Sequence, residues 1–272
     1  MATTVTTFLE MMRLESHGPD TYVGAGPSYP WGGLYGGQIV AQALRAAALT
    51  VEPRYLVHSL HAYFIRRGDA TEPIRLEVQR IRDGRTFVTR HVVARQAAGA
   101  ILNLAASFHI PEEGVDIQVE HMPEVPAPET LPNDTWSALI DRAFVDQRRL
   151  RGTVAAWMRL TEKLPDDAIV HACALAYLSD DLPTDAVISV HPEYRGRGPQ
   201  YRTFWSASLD HAIWFHRPVQ ADQWHLHEFT CRGLMGTRGL STGAIFDRDG
   251  RQVATVSQEV LVRLHRERGT ER

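Results

Sequence analysis

The chain has 272 residues, 44% of them apolar and 22% charged, the proportions of a soluble globular protein long enough for a large core or about two domains. A net charge of −3 offers no attraction to nucleic acid or an anionic membrane, and no apolar run approaches the ~20 residues of a membrane-spanning helix. Two cysteines, Cys173 and Cys231, with no CxxC pair, exclude a disulfide scaffold and a cysteine zinc site. Lys163 is the only lysine, so a phosphate on a ligand would meet Arg, His or backbone N–H groups. Neither a secretory leader at the start nor a peroxisomal tripeptide at the end is visible, and the expected location is the cytoplasm.

Residues 8–14, with Phe8, Leu9, Met11, Met12 and Leu14, predict a short helix. A Gly- and Pro-rich loop follows over 24–37 and contains Gly32-Gly33-Leu34-Tyr35-Gly36-Gly37. Its spacing matches neither GxGxxG nor a P-loop, so a phosphate cradle is the weaker reading. Residues 38–49 predict a thin helix rich in alanine and almost uncharged except for Arg45, suited to close wrapping by another element. Strands are expected over 56–66, 74–81, 86–97 and 100–110, with Arg82-Asp83-Gly84-Arg85 as a hairpin turn. Pro123, Pro126, Pro128 and Pro132 mark an irregular linker over 121–132. The charged stretch 135–150 predicts a helix, followed by the apolar run 154–160 around Trp157. A second alanine-rich helix is expected over 168–182, then strands over 204–217, 224–233, 240–246 and 252–264.

The two halves repeat each other. Tyr63-Phe64-Ile65-Arg66 answers Trp214-Phe215-His216-Arg217; from Phe64 to Ser107 is 43 positions and from Phe215 to Ser257 is 42. A small-residue helix wrapped by an antiparallel sheet, twice over, gives an α+β class: a tandem (double) hot dog fold of two sheets, each around a central Ala-rich helix. The expected organisation is a first repeat over 1–120, a linker with short helices over 121–165 and a second repeat over 166–272.

Three positions break the symmetry. Gln258 sits amid the apolar face of the last strand, where the first repeat has Phe108. Ser208 corresponds to Val57, and Asp180 to Ala47. In the strand over 204–217, Ser206, Ser208 and Asp210 share one side of a period-2 pattern. The bland reading is that these polar groups bond to neighbouring backbone, and that Asp180-Asp181 frays into solvent before Pro183. Against it, an acid at a helix C-terminus is disfavoured by roughly 0.3–1 kcal/mol, and a scaffold has no need of buried polarity in one half alone.

The chain resembles the acyl-CoA thioesterase II (TesB-type) family over nearly its whole length. The resemblance rests on Gly36-Gly-Gln-Ile-Val-Ala-Gln-Ala-Leu44, Val57-His-Ser-Leu-His-Ala-Tyr-Phe64, Arg66-Arg-Gly-Asp69, Arg82-Asp-Gly84, Ala105-Ala-Ser-Phe108, Asp210-His-Ala-Ile-Trp-Phe-His-Arg-Pro218 and Gln258-Glu259. It implies a double hot dog enzyme whose catalytic carboxylate, hydroxyl and amide fall on Asp180, Ser208 (Ser in place of the more usual Thr) and Gln258, the positions singled out by the repeat. The implied reaction is hydrolysis of acyl-CoA to fatty acid and CoA, with acyl-CoA as the only partner molecule, no metal and no cofactor. A homodimer or homotetramer is the implied assembly. An enoyl-CoA hydratase would use Asp210 and His211, but neighbouring strand residues point to opposite faces. A non-catalytic acyl-CoA-binding protein would not need the polar trio. His225 and His227, two apart on one strand, are weak metal-ligand candidates.

Overall fold

The computed structural model describes residues 7–146, 152–196 and 203–265. A short helix, α1 (Phe8–Met11), begins in a capping box in which Thr7 and Glu10 satisfy each other's backbone N–H groups. The small strands β1 (Glu15–Ser16) and β2 (Thr21–Gly24) lead through the glycine-rich loop into α2 (Gly36–Ala48). Four longer strands follow: β3 (Leu56–Phe64), β4 (Ile74–Asp83), β5 (Phe87–Gln96) and β6 (Gly99–His109). After the proline-rich segment come β7 (Ile140–Phe144), β8 (Thr153–Leu160), α3 (Ala168–Ser179) and α4 (Pro183–Ser189). Five strands close the chain: β9 (Phe204–Ser208), β10 (Asp210–Phe215), β11 (His225–Met235), β12 (Arg238–Phe246) and β13 (Gln252–Leu264).

All described strands join one antiparallel sheet, in the order β1-β2-β4-β5-β6-β3-β10-β13-β12-β11-β8-β7, with β9 on β13. The sequence predicts two sheets; instead β3 and β10 pair, Asp210 facing Tyr63 and Ile213 facing Leu60, so neither half keeps a bare edge at the junction. Inside the curve of the sheet lie α2 and α3, packed against each other. Ala41, Ala43, Ala46 and Ala47 of α2 are buried, as is every residue of α3 from Val170 to Ser179. Small side chains let the two backbones and the sheet approach closely, which explains a nearly uncharged helix in mid-protein.

Other expectations change with tertiary context. The charged stretch 135–150 is not an α-helix where it is described: Ile140–Phe144 is a strand, Asp146 has 3-10 conformation, and 147–151 lie outside the described residues. Its charges make pairs between elements, Asp141 with Arg159 and Arg142 with Asp181. Thr153–Leu160 is also a strand, covered on both faces, which is why it reads as a continuous apolar run. Hence the described residues of 121–165 hold no α-helix, only 3-10 conformation at Pro128–Thr130 and at Asp146, and the second part of the segment belongs to the sheet. The proline-rich segment lies across the outer face of β8, where Pro126 O accepts from Trp157 Nε1 at 3.0 Å. The helix over 168–182 stops at Ser179, and Pro183 opens a new helix rather than ending the old one.

The strand expected over 204–217 is broken at Leu209. Ser208 faces Val260 and Ala212 faces Ser257, so four steps along one strand match three along β13, the signature of a bulge. The alternation predicted for Ser206, Ser208 and Asp210 ends there. Asp210 Oδ1 instead accepts from Glu259 N at 2.6 Å, and His211 turns to the interior beside Ser208.

Candidate active site

α3 ends where α2 begins. Asp180 caps the C-terminus of α3, and its Oδ2 accepts from the first-turn amide Gly37 N at 2.8 Å. No side chain of Tyr35 caps α2, so the carboxylate of Asp180 does that work from another helix. The unfavourable dipole at the end of α3 is thereby offset by the positive end of α2. Tyr35 Oη donates to Tyr177 O at 2.9 Å and satisfies a carbonyl of the last α3 turn. The approach needs glycine: a Cβ on Gly36 would lie 2.6 Å from Asp180 Oδ2, and one on Gly37 2.4 Å from Tyr177 O.

Asp180, Ser208 and Gln258, separated in sequence, come together here. Ser208 Oγ donates to Asp180 Oδ1 at 3.2 Å, and Gln258 Nε2 donates to Ser208 Oγ at 2.8 Å. Asp180 is 6% exposed and Gln258 fully buried. Asp181 is distinct: it accepts from Trp136 Nε1 and Arg142 Nη1, each at 2.6 Å, so its charge is paired with a cation. The partners of Asp180 among the described residues are neutral donors. Burial therefore pushes its pKa up to about 7, against the lowering pull of Gly37 N–H, Ser208 and Gln258 and with a small push from Asp181. A carboxylate poised there can take a proton from water near neutral pH.

Two further side chains belong to the cluster. His211 Nδ1 bonds to Gln258 Oε1, and His211 Nε2 lies 2.9 Å from Ser179 Oγ. Burial holds the His211 pKa down near 4, so the ring is neutral. Strict alternation along the strand places His211 on the far side, and only the bulge reverses that. Asp210 and His211 do diverge, as adjacent strand residues should. Of the other histidines, His225 Nδ1 bonds to Gln223 O at 2.8 Å, and the described residues hold no group of three or more His, Cys, Asp or Glu arranged for a metal.

Comparison with known proteins identifies the family. Residues 26–109 match the family model described as the acyl-CoA thioesterase N-terminal domain, and residues 119–262 the corresponding C-terminal domain. The chain is 31% identical to acyl-CoA thioesterase 2 of Haemophilus influenzae, over 97% of this chain and 99% of that one. The crystal structure of the acyl-CoA thioesterase II TesB2 from Mycobacterium marinum superimposes with a TM-score of 0.83 at 36% identity, covering 97% of this chain and 99% of the other. A conserved hot dog protein of unknown function from Alicyclobacillus acidocaldarius, 20% identical, shares the fold with a TM-score of 0.79 over 94% of this chain and 97% of its own. By these matches the chain belongs to the TesB-type acyl-CoA thioesterases, thioester hydrolases of the hot dog fold.

Proposed function

We propose that the protein hydrolyses acyl-CoA to the free acid and CoA, using Asp180 as general base and Ser208 with Gln258 to orient the attacking water. A buried carboxylate without a cationic partner, bonded to a hydroxyl that is itself bonded to an amide, is the observation that carries this reading. Water oxygen attacks the carbonyl carbon while Asp180 accepts its proton. The C–S bond then breaks, the acid departs, and the proton on Asp180 returns to the thiolate of CoA. The positive end of α2, beside the carboxylate, would stabilise negative charge developing on the carbonyl oxygen.

The fold is read as two hot dog repeats in tandem, with α2 and α3 their central helices. The separate matches of 26–109 and 119–262 to N- and C-terminal thioesterase domains support this. A homodimer or homotetramer in the cytoplasm fits best, with Tyr63 (64% exposed) and Trp214 (37%) as outward aromatic surface for an interface to cover.

Thiol release from a series of acyl-CoA chain lengths tests the chemistry. Asp180→Asn should fold yet lose about 10²–10⁴-fold in kcat. For the parent enzyme kcat/KM should fall as pH drops below about 7, where Asp180 becomes protonated. An Asp180→Asn enzyme turning over at the parent rate would overturn the assignment.

A further inference from the structure

The far side of Gln258 carries the next inference, which rests on the reading of Asp180, Ser208 and Gln258 given above. The two ends of a glutamine amide are nearly the same shape, and opposite in hydrogen bonding. Turned one way, Gln258 offers Nε2 to Ser208, whose hydroxyl is then free to donate to Asp180. Turned the other way, Oε1 would face Ser208, the hydroxyl would donate to it, and Asp180 would lose that bond. Ser208 tolerates either orientation, since a hydroxyl both donates and accepts. The acceptor-only carboxylate of Asp180 favours the first orientation, and the group behind Gln258 has to agree with it.

We propose that His211 is a positioning residue that holds the Gln258 amide in its productive orientation by donating to its Oε1. His211 is fully buried and bridges Gln258 Oε1 and Ser179 Oγ. A carbonyl oxygen cannot donate, so the single proton of the neutral ring sits on Nδ1 and points at Oε1. Nε2 is then an acceptor and receives the proton of the Ser179 hydroxyl, 2.9 Å away, in preference to Ala176 O at 3.1 Å. Every donor now runs in one direction: Ser179 to His211, His211 to Gln258, Gln258 to Ser208, Ser208 to Asp180. The chain ends on the one carboxylate of the cluster; reversing the amide would oblige the His211 proton to move to Nε2 and the Ser179 hydroxyl to turn to Ala176 O, and Asp180 would lose its bond from Ser208. A core histidine that served packing alone would gain nothing from this order of donors.

The distinguishing experiment is a double-mutant cycle on thiol release, with thermal melts to establish that each variant folds. His211→Leu keeps bulk but cannot donate, and kcat should fall by about tenfold or more, the rate equivalent of one lost hydrogen bond, with KM little changed. His211→Asn carries an amide N–H where Nδ1 stands, and should recover kcat to within about threefold of the parent enzyme. In a Gln258→Leu background, His211→Leu should have no further effect, because there is no amide left to orient. Should His211→Leu fail to fold, His211→Phe, which keeps a buried ring but cannot donate, takes its place and should likewise lower kcat only while Gln258 is present. Additive losses in the cycle, failure of the Asn rescue, or a His211→Leu enzyme at full kcat would each overturn the proposal. Asp180→Asn, run alongside, separates the two levels. If it stays active, the reading of the whole site fails; if it is dead while His211→Leu is unimpaired, only the positioning role fails.

Discussion

Asp180 is the residue at which stability and activity pull apart. Its folded-state pKa, about 7, lies well above the 3.8 of an ordinary aspartate, a separation worth about 4 kcal/mol. Between those values the folded protein keeps a proton that the unfolded chain has released. Stability therefore falls as pH rises through that window, and the whole penalty is present above about pH 7. Asparagine has no charge to bury, and its carbonyl can still accept from Gly37 N–H. Asp180→Asn should thus be more stable than the parent protein at pH 8, by an amount that shrinks toward pH 5. Urea melts of both proteins at the two pH values measure this; a gap that stays constant or widens in acid would show that Asp180 is not held there as a strained carboxylate. Serine at 208 supplies the same donor and acceptor as threonine would, without the methyl that restricts the rotamer. Its bonds to Asp180 and Gln258 do that job instead.

Among the elements, the meeting of α3 with α2 and the bulge at Leu209 decide what the site contains. The glycine pair at the start of α2 is there because the end of α3 comes so close: Tyr177 O and Tyr35 Cε1 would lie 2.4 and 2.6 Å from a Cβ on Gly37. A backbone carbonyl and a buried aromatic ring cannot swing aside as an exposed chain end can. Gly37→Ala should push the helices apart, destabilising the protein by about 1–3 kcal/mol. The amide that holds Asp180 Oδ2 would move with them, so kcat should fall as well. A combined denaturation and thiol-release measurement should find both losses; full activity in a stable Gly37→Ala protein would mean that the amide contact is dispensable. The bulge acts similarly on the opposite wall. One extra residue sends the Asp210 side chain to the backbone of Glu259 and brings His211 inward, so that two side chains three positions apart share one face of the sheet.

Across the whole molecule, the halves are joined twice: by the ladder between β3 and β10 and by the packing of α2 on α3. Separating them would expose the buried alanine faces of both helices and leave two sheet edges unpaired. A single cooperative unfolding transition is the expected consequence. Five of the six tryptophans, Trp136, Trp157, Trp205, Trp214 and Trp224, lie within 119–262, the stretch matched to the C-terminal domain, so fluorescence reports mainly on that part while far-UV circular dichroism follows both halves. The two signals should give coincident melting curves. A fluorescence transition displaced from the dichroism transition would show that the halves unfold separately.

Hydrophobic periodicity and the internal repeat were enough to place α2, α3 and the long strands, because those signals are local and each half carries its own copy. The same repeat picked out Asp180, Ser208 and Gln258, since polar residues in one copy stood against apolar residues in the other. Only the tertiary structure could decide that the sheets merge, that 140–144 is a strand, and that His211 and Ser179 stand behind Gln258. Pairing of one strand edge with another, compensation of a charge by a distant partner, and a one-residue slip in register all depend on what lies across space from a residue, which its neighbours along the chain do not encode.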